Sequence, residues 1–171
     1  RDQPRSRGLG DVYKRQVDGR FGCEIQDDIL QFAYVKLPWI PDVIWASPPC
    51  TEYSRAKTTG PARNLELADR LVAKFIELRV YFLERNPSML WFCENGQTTM
   101  LWNREVAKTL EPRVHLSYCQ YGKPYRKNTT IATNAIWEPL PNKCNPKNCK
   151  MMENGVHLFS AQQGPSKIKG F

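Results

Sequence analysis

Nowhere in the 171 residues does an apolar run approach the roughly 18 needed to cross a bilayer, so no membrane span is predicted. The opening RDQPRSRGLG is charged but leads into no apolar stretch, which argues against a secretory signal and makes a cytoplasmic location the expectation. No internal repeat is present, and nothing calls for an obligate protein partner. Without an export signal, the six cysteines (Cys23, Cys50, Cys93, Cys119, Cys144, Cys149) read as thiols or metal ligands rather than as a disulfide framework.

At 41% hydrophobic the chain can bury one sizeable core, so one main domain is expected. The formal charge of +8 points to a polyanionic partner, since Lys and Arg that neutralise phosphates gain affinity by counterion release. Residues 1–16 contribute +3 of that charge. Back-translated, DVYKRQ at 11–16 matches a transposase adaptor used in shotgun sequencing, so 1–16 are expected to be a non-native segment; the alternative is a basic arm on nucleic acid. On that expectation part of the true N-terminal region is missing, 17–137 form a partial catalytic domain, and 138–171 form an irregular tail.

FGCEIQDDILQF reads as a short strand followed by a loop at Asp27 and Asp28. DVIWA at 42–46 is an almost continuous apolar run between prolines, the pattern of a strand buried on both faces. From 64 to 85, Leu65, Ala68, Leu71, Val72, Phe75, Leu78 and Phe82 recur at helical spacing behind Asn64 as N-cap. LWFCEN at 90–95 predicts a second buried strand, 100–110 a shorter helix, and 113–121 with 129–134 a hairpin-like pair. This alternation predicts an α/β layered sheet, in which ligands collect beyond the carboxyl ends of the strands. Cys50 and Glu94 then fall on one rim.

A cysteine nucleophile acts as thiolate, and a free thiol of pKa about 8.5 needs help to ionise at neutral pH. Arg55 and Lys57 lie close, and the loop leads toward a helix. A carboxylate on the neighbouring strand end can pair with the edge of a base. Taken alone, SPPC at 47–50 fits a small buried cysteine as well as a reactive one.

PDVIWASPPCTEYS resembles the Pro-Cys nucleophile motif of DNA cytosine-5 methyltransferases. CEN at 93–95 resembles their Glu-Asn motif, and YCQYGKPYRKNTTIATN their later Tyr-Gly and Arg-bearing strand pair. The likeness covers about 17–134 and is nearest to small phage-like and bacterial members. It implies an incomplete Rossmann-like sheet, S-adenosylmethionine as methyl donor, double-stranded DNA as partner, and a covalent adduct between Cys50 and C6 of a flipped cytosine. It further implies that Glu94 holds the N3 and N4 edge, Asn95 orients the loop, and Arg126 is the cation on the base or phosphate side. Asp28, Pro48 and Pro49 take cofactor-side positions, and Arg55, Lys57 and Lys127 face DNA. Thr51 and Gly96 stand where the family has Gln and Val, and its aromatic-x-Gly-x-Gly loop is expected to lie outside this sequence.

Other readings stay open. An amino-methyltransferase also places a Pro-Pro loop at this strand end but follows it with an aromatic, where this chain has Cys50; a basic nucleic-acid-binding module without catalysis is a further alternative. Asp28 is equally a turn residue. Cys144-x4-Cys149 with His157 offers three ligands for a structural zinc, with Cys119 or an outside group as fourth. His115 is expected to be a satisfied core or edge histidine, and the five tryptophans mostly core. Lys147, Lys150, Lys167 and Lys169 suit either phosphate contact or solvation.

Overall fold

The computed structural model describes residues 25, 27–58, 60–137, 143–147, 149–160 and 164–165. The adaptor-like segment 1–16, Cys23, most of the expected first strand, and Lys167 and Lys169 lie outside the described residues.

Four strands form one mixed sheet in the order β1-β2-β4-β3: β1 (Val43–Ala46), β2 (Leu90–Gly96), β3 (Arg113–Ser117) and β4 (Asn128–Thr133). β1 and β2 run parallel, and between them in sequence lie a short α1 (Cys50–Tyr53) and a long α2 (Leu65–Leu83). β4 is inserted antiparallel to both β2 and β3. The carboxyl ends of β1, β2 and β3 therefore meet the start of β4 on one rim.

α2 matches its periodicity closely. Ala68, Leu71, Val72, Phe75, Leu78 and Phe82 form its buried stripe, and Asn64 Oδ1 caps it by accepting from the Leu67 N–H at 3.0 Å. This stripe packs on Trp91, Cys93 and Ala132 of the sheet and on Leu101, Ala107 and Leu110. At its far end Leu78 and Phe82 meet Met89, with Ile29, Tyr34 and Leu37 folded over them.

Several expectations are corrected. β1 is not buried on both faces: Ile44 and Ala46 pack on the core, but Val43 and Trp45 are 55% and 56% exposed, because α2 covers only one face. An apolar run cannot show which face has a neighbour. The helix expected over 100–110 is two 3-10 turns, Met100–Asn103 and Glu105–Ala107, broken at Arg104, whose backbone is extended. Arg104 instead grips Asp69 of α2 with its guanidinium. Of the tryptophans only Trp91 is buried and Trp102 half-buried; Trp39, Trp45 and Trp137 are exposed.

The tail is not wholly irregular. β5 (Met152–Glu153) pairs antiparallel with β6 (Val156–His157), and β7 (Phe159–Ser160) with β8 (Gly164–Pro165). Asn154 and Gly155, both at positive φ, make the tight turn between β5 and β6, the backbone that an Asn-Gly pair favours. No helix among the described residues is long and apolar enough to cross a membrane.

Candidate active site and metal cluster

Two prolines end β1 and turn the chain so that Cys50 begins α1, exposed. The loop is held from the next strand. Asn95, 1% exposed, donates from Nδ2 to the Pro48 carbonyl at 2.9 Å, while its Oδ1 accepts from the Gly96 N–H. A buried amide whose donor and acceptor are both used fixes one geometry between the two strand ends.

Behind Cys50, the buried Glu52 closes the following loop. Its Oε1 accepts from Lys57 Nζ at 3.0 Å and its Oε2 from the Asn64 N–H at 2.6 Å. Burial pushes this carboxyl up, but the bonds from Lys57 and Asn64 outweigh it and hold Glu52 below its ordinary range. Arg63 adds bonds to the Ser54 and Lys57 carbonyls, each at 2.8 Å. Tyr53, fully buried, donates to Asp69, the carboxylate that Arg104 also holds, and so ties α1 to α2.

Alternation along β2 turns Glu94 to the face opposite Asn95. Glu94 is buried, and its Oε1 accepts from Lys127 Nζ at 3.1 Å and from the Tyr118 hydroxyl at 3.5 Å. Burial pulls the Lys127 ammonium down, but Glu94, with smaller help from Tyr118 and Cys50, raises it above its ordinary value. The Lys127 ammonium also sits 5.0 Å from the centre of the Tyr118 ring. Tyr118 is pushed up by burial and by Glu94. Lys127 thus stands in the field of both the thiol and the carboxylate.

The structure brings Cys50, Pro48, Pro49, Glu94, Asn95 and Lys127 to one rim, and the other expected residues make contacts of their own. Arg126 is exposed and donates to Asn128 Oδ1 at 3.2 Å; its neighbour Lys127 is the one that reaches Glu94. Lys57 is engaged by Glu52 rather than turned to solvent, whereas Arg55 is exposed. Pro49 is the N-cap of α1. Asp28 closes a local turn, its Oδ1 accepting from the Leu30 N–H at 2.9 Å and its carbonyl from the Gln31 N–H. His115 bonds Thr130 Oγ1 through Nδ1 at 2.8 Å, on edge strand β3. Tyr118 and Glu52 went unassigned in the sequence: nothing in a tyrosine-rich turn or an acidic residue after a cysteine marks the partner it meets.

Cys93, in β2, shows the contrast within the site. Burial, reinforced by Glu94, pushes its thiol up to about 12, so it is a packing residue and no nucleophile.

A second cluster stands at the end of β3. Cys119, in the 3-10 turn Tyr118–Tyr121, meets Cys144, Cys149 and His157, and the four ligand atoms all lie within 4.8 Å of one another. Cys144 Sγ and Cys149 Sγ are 3.5 Å and 3.6 Å from His157 Nε2. Gln120 Nε2 approaches the sulfurs of Cys119 and Cys149 at 3.7 Å and 3.6 Å. Burial, with the Cys119 and Cys149 sulfurs beside it, pushes the Cys144 thiol up to about 12. A cation bound among these sulfurs would favour their deprotonated form. The cluster can hold a metal ion.

No protein-family model matches the chain, and no curated protein matches it in sequence.

Proposed function

We propose that the chain carries the cytosine-activating half of a DNA cytosine-C5 methyltransferase of Rossmann-like fold, with S-adenosylmethionine as methyl donor. The observation that carries the reading is the bond from Asn95 to the Pro48 carbonyl: it locks the loop presenting Cys50 to the strand end presenting Glu94. The motifs resembling that family thus meet in space as well as in order.

The donor supplies a methyl group when bound. Asp28 Oδ1 serves Leu30 and the Pro48 carbonyl serves Asn95, so what these two residues leave for the donor is Asp28 Oδ2 and the second lone pair of that carbonyl. The chain's own residues activate the base. Cytosine leaves the helix stack at a cost of a few kcal/mol. Glu94 faces its N3 and N4 edge through Oε2, which accepts no hydrogen bond among the described residues, while Lys127 and Tyr118 hold Oε1. The Cys50 thiolate adds to C6, the C5–C6 π electrons move to C5, and C5 takes a proton from water; reversal returns a proton to water and expels the thiolate. Lys127, paired to Glu94 Oε1, puts a positive charge on the rim where the cytosine would sit. Arg55, Lys123 and Arg126, exposed around this rim, suit phosphates.

Release of tritium from C5 of cytosine in duplex DNA, which requires no methyl donor, tests this directly. Release that disappears in Cys50→Ala is expected. DNA binding without release from the unaltered chain would falsify the proposal, and methylation at N4 or N6 with Cys50→Ala still active would favour an amino-methyltransferase.

The metal-binding cluster supports a second, separate part of the reading. Three thiolates and one imidazole form the Cys3His set of tetrahedral structural zinc, and soft sulfur donors disfavour magnesium or calcium.

A further inference from the structure

We infer that zinc at Cys119, Cys144, Cys149 and His157 is a clamp that holds the tail against the rim and thereby fixes the Tyr118 and Lys127 side of the Glu94 site. The inference rests on the zinc reading of that cluster and extends it to the neighbouring site.

Among its described residues the tail buries little. Its described strands are two residues long, Val156 and Phe159 are exposed, and Cys149 is its one buried residue among those described. A two-stranded ribbon of this size is not stable alone in water, and small modules without a core need a staple. The four ligands come from three separate stretches: the 3-10 turn after β3, the 144–149 loop and β6. A metal closing them joins tail to sheet at one point.

The clamp bears on the rim through short connections. Cys119 follows Tyr118 in the same 3-10 turn, and Tyr118 reaches Glu94. The Tyr118 N–H donates to the Lys127 carbonyl at 3.1 Å, so the turn carrying one ligand also carries the backbone of the residue paired to Glu94. The Cys144 N–H donates to Ser117 Oγ at 3.0 Å, and Ser117 donates on to Asn128 at 2.8 Å, at the start of β4. The Phe159 N–H donates to the Pro124 carbonyl at 2.9 Å, closing the tail over the loop between β3 and β4. Gln120 aims an amide at two of the sulfurs, the outer contact that orients and charges thiolate ligands.

The test uses the whole chain. Purified without added metal, it is expected to hold one zinc by elemental analysis, lost in Cys149→Ser and in His157→Ala; cobalt replacing zinc is expected to show the absorption of tetrahedral thiolate coordination. Stripping zinc with a chelator is expected to speed amide exchange at Cys144, Phe159 and Tyr118 by at least about tenfold, with α2 and β2 changing little and zinc restoring protection. No bound metal, a cobalt spectrum without thiolate character, or a disulfide among the three thiols overturns the zinc reading and this inference with it. Zinc present but Tyr118 exchange unchanged on stripping overturns the clamp alone. Neither result touches tritium release from cytosine, which tests Cys50 separately.

Discussion

The loop around Cys50 and the cluster around Cys149 both rest on cysteine, and they use it in opposite ways. In the loop every fixed contact surrounds the sulfur without touching it: Asn95 to Pro48, Glu52 to Lys57 and Asn64, Tyr53 to Asp69. Among the described residues no hydrogen bond is made to Cys50, which stands exposed at the end of a braced turn. In the tail the sulfurs are themselves the contact, drawn together with His157 where little apolar surface is buried. On the proposed reading the first arrangement leaves a thiol free for chemistry, and the second uses its sulfurs to close the structure.

That contrast breaks first at the two cysteines. Cys50→Ala is expected to lower tritium release by at least about a thousandfold, as loss of a nucleophile does, with thermal unfolding essentially unchanged because the thiol is exposed and makes no hydrogen bond among the described residues. Cys149→Ser has the reverse profile: metal is lost and the melting temperature falls, while tritium release falls far less than in Cys50→Ala because the nucleophile is still present. If Cys50→Ala lowers the melting temperature as much as Cys149→Ser, the contrast fails.

Asn95 gives the next largest effect, because it joins scaffold to chemistry. Asn95→Ala strands the buried Pro48 carbonyl and is expected to cost about 1–3 kcal/mol of stability, read from urea unfolding. Tritium release should fall by roughly tenfold or more as the Cys50 loop drifts from Glu94, since small misplacements of reacting groups carry large kinetic penalties. An Asn95→Ala variant that loses stability but keeps full release places the loop's alignment elsewhere.

The sequence made the covalent pattern of this rim legible and left its electrostatics hidden. α2 followed from periodicity, because burial of one face imposes it, and β2 from its apolar run. Arg126 and Lys127 are adjacent, and only the pairing of β4 with β2 decides which reaches Glu94. The cluster was largely legible: the spacing of Cys144, Cys149 and His157 suggested ligands with Cys119 or an outside group as fourth, and the end of β3 beside the tail decides for Cys119. The same lack of neighbour information hid the exposed face of β1 and the interruption at Arg104, whose extended backbone accompanies its ion pair with Asp69.

The pH dependence of the loop sharpens the comparison from the electrostatic side. Glu52 is held below its ordinary range in the folded protein, so it binds fewer protons folded than unfolded. Its contribution is therefore fully present above the unfolded carboxylate value of 4.5 and is lost as pH falls through the lower folded value. Unfolding measured from pH 6 downward should show stability falling across that window, with a shallower fall in Glu52→Gln. Equal slopes in the two proteins would remove Glu52 from the account of the loop.

Asn64 carries the smallest expected effect and separates two contributions at one residue. Its backbone N–H serves Glu52 and its side chain caps α2 through the Leu67 N–H. Asn64→Ala keeps the first and deletes the second, so the loss is that of an N-cap, about 1 kcal/mol. Tritium release and the acid-side slope set by Glu52 should both be unchanged, since neither depends on the side chain. A change in either would mean that the first turn of α2 is part of the bracing of Cys50, and that the helix and the loop open together.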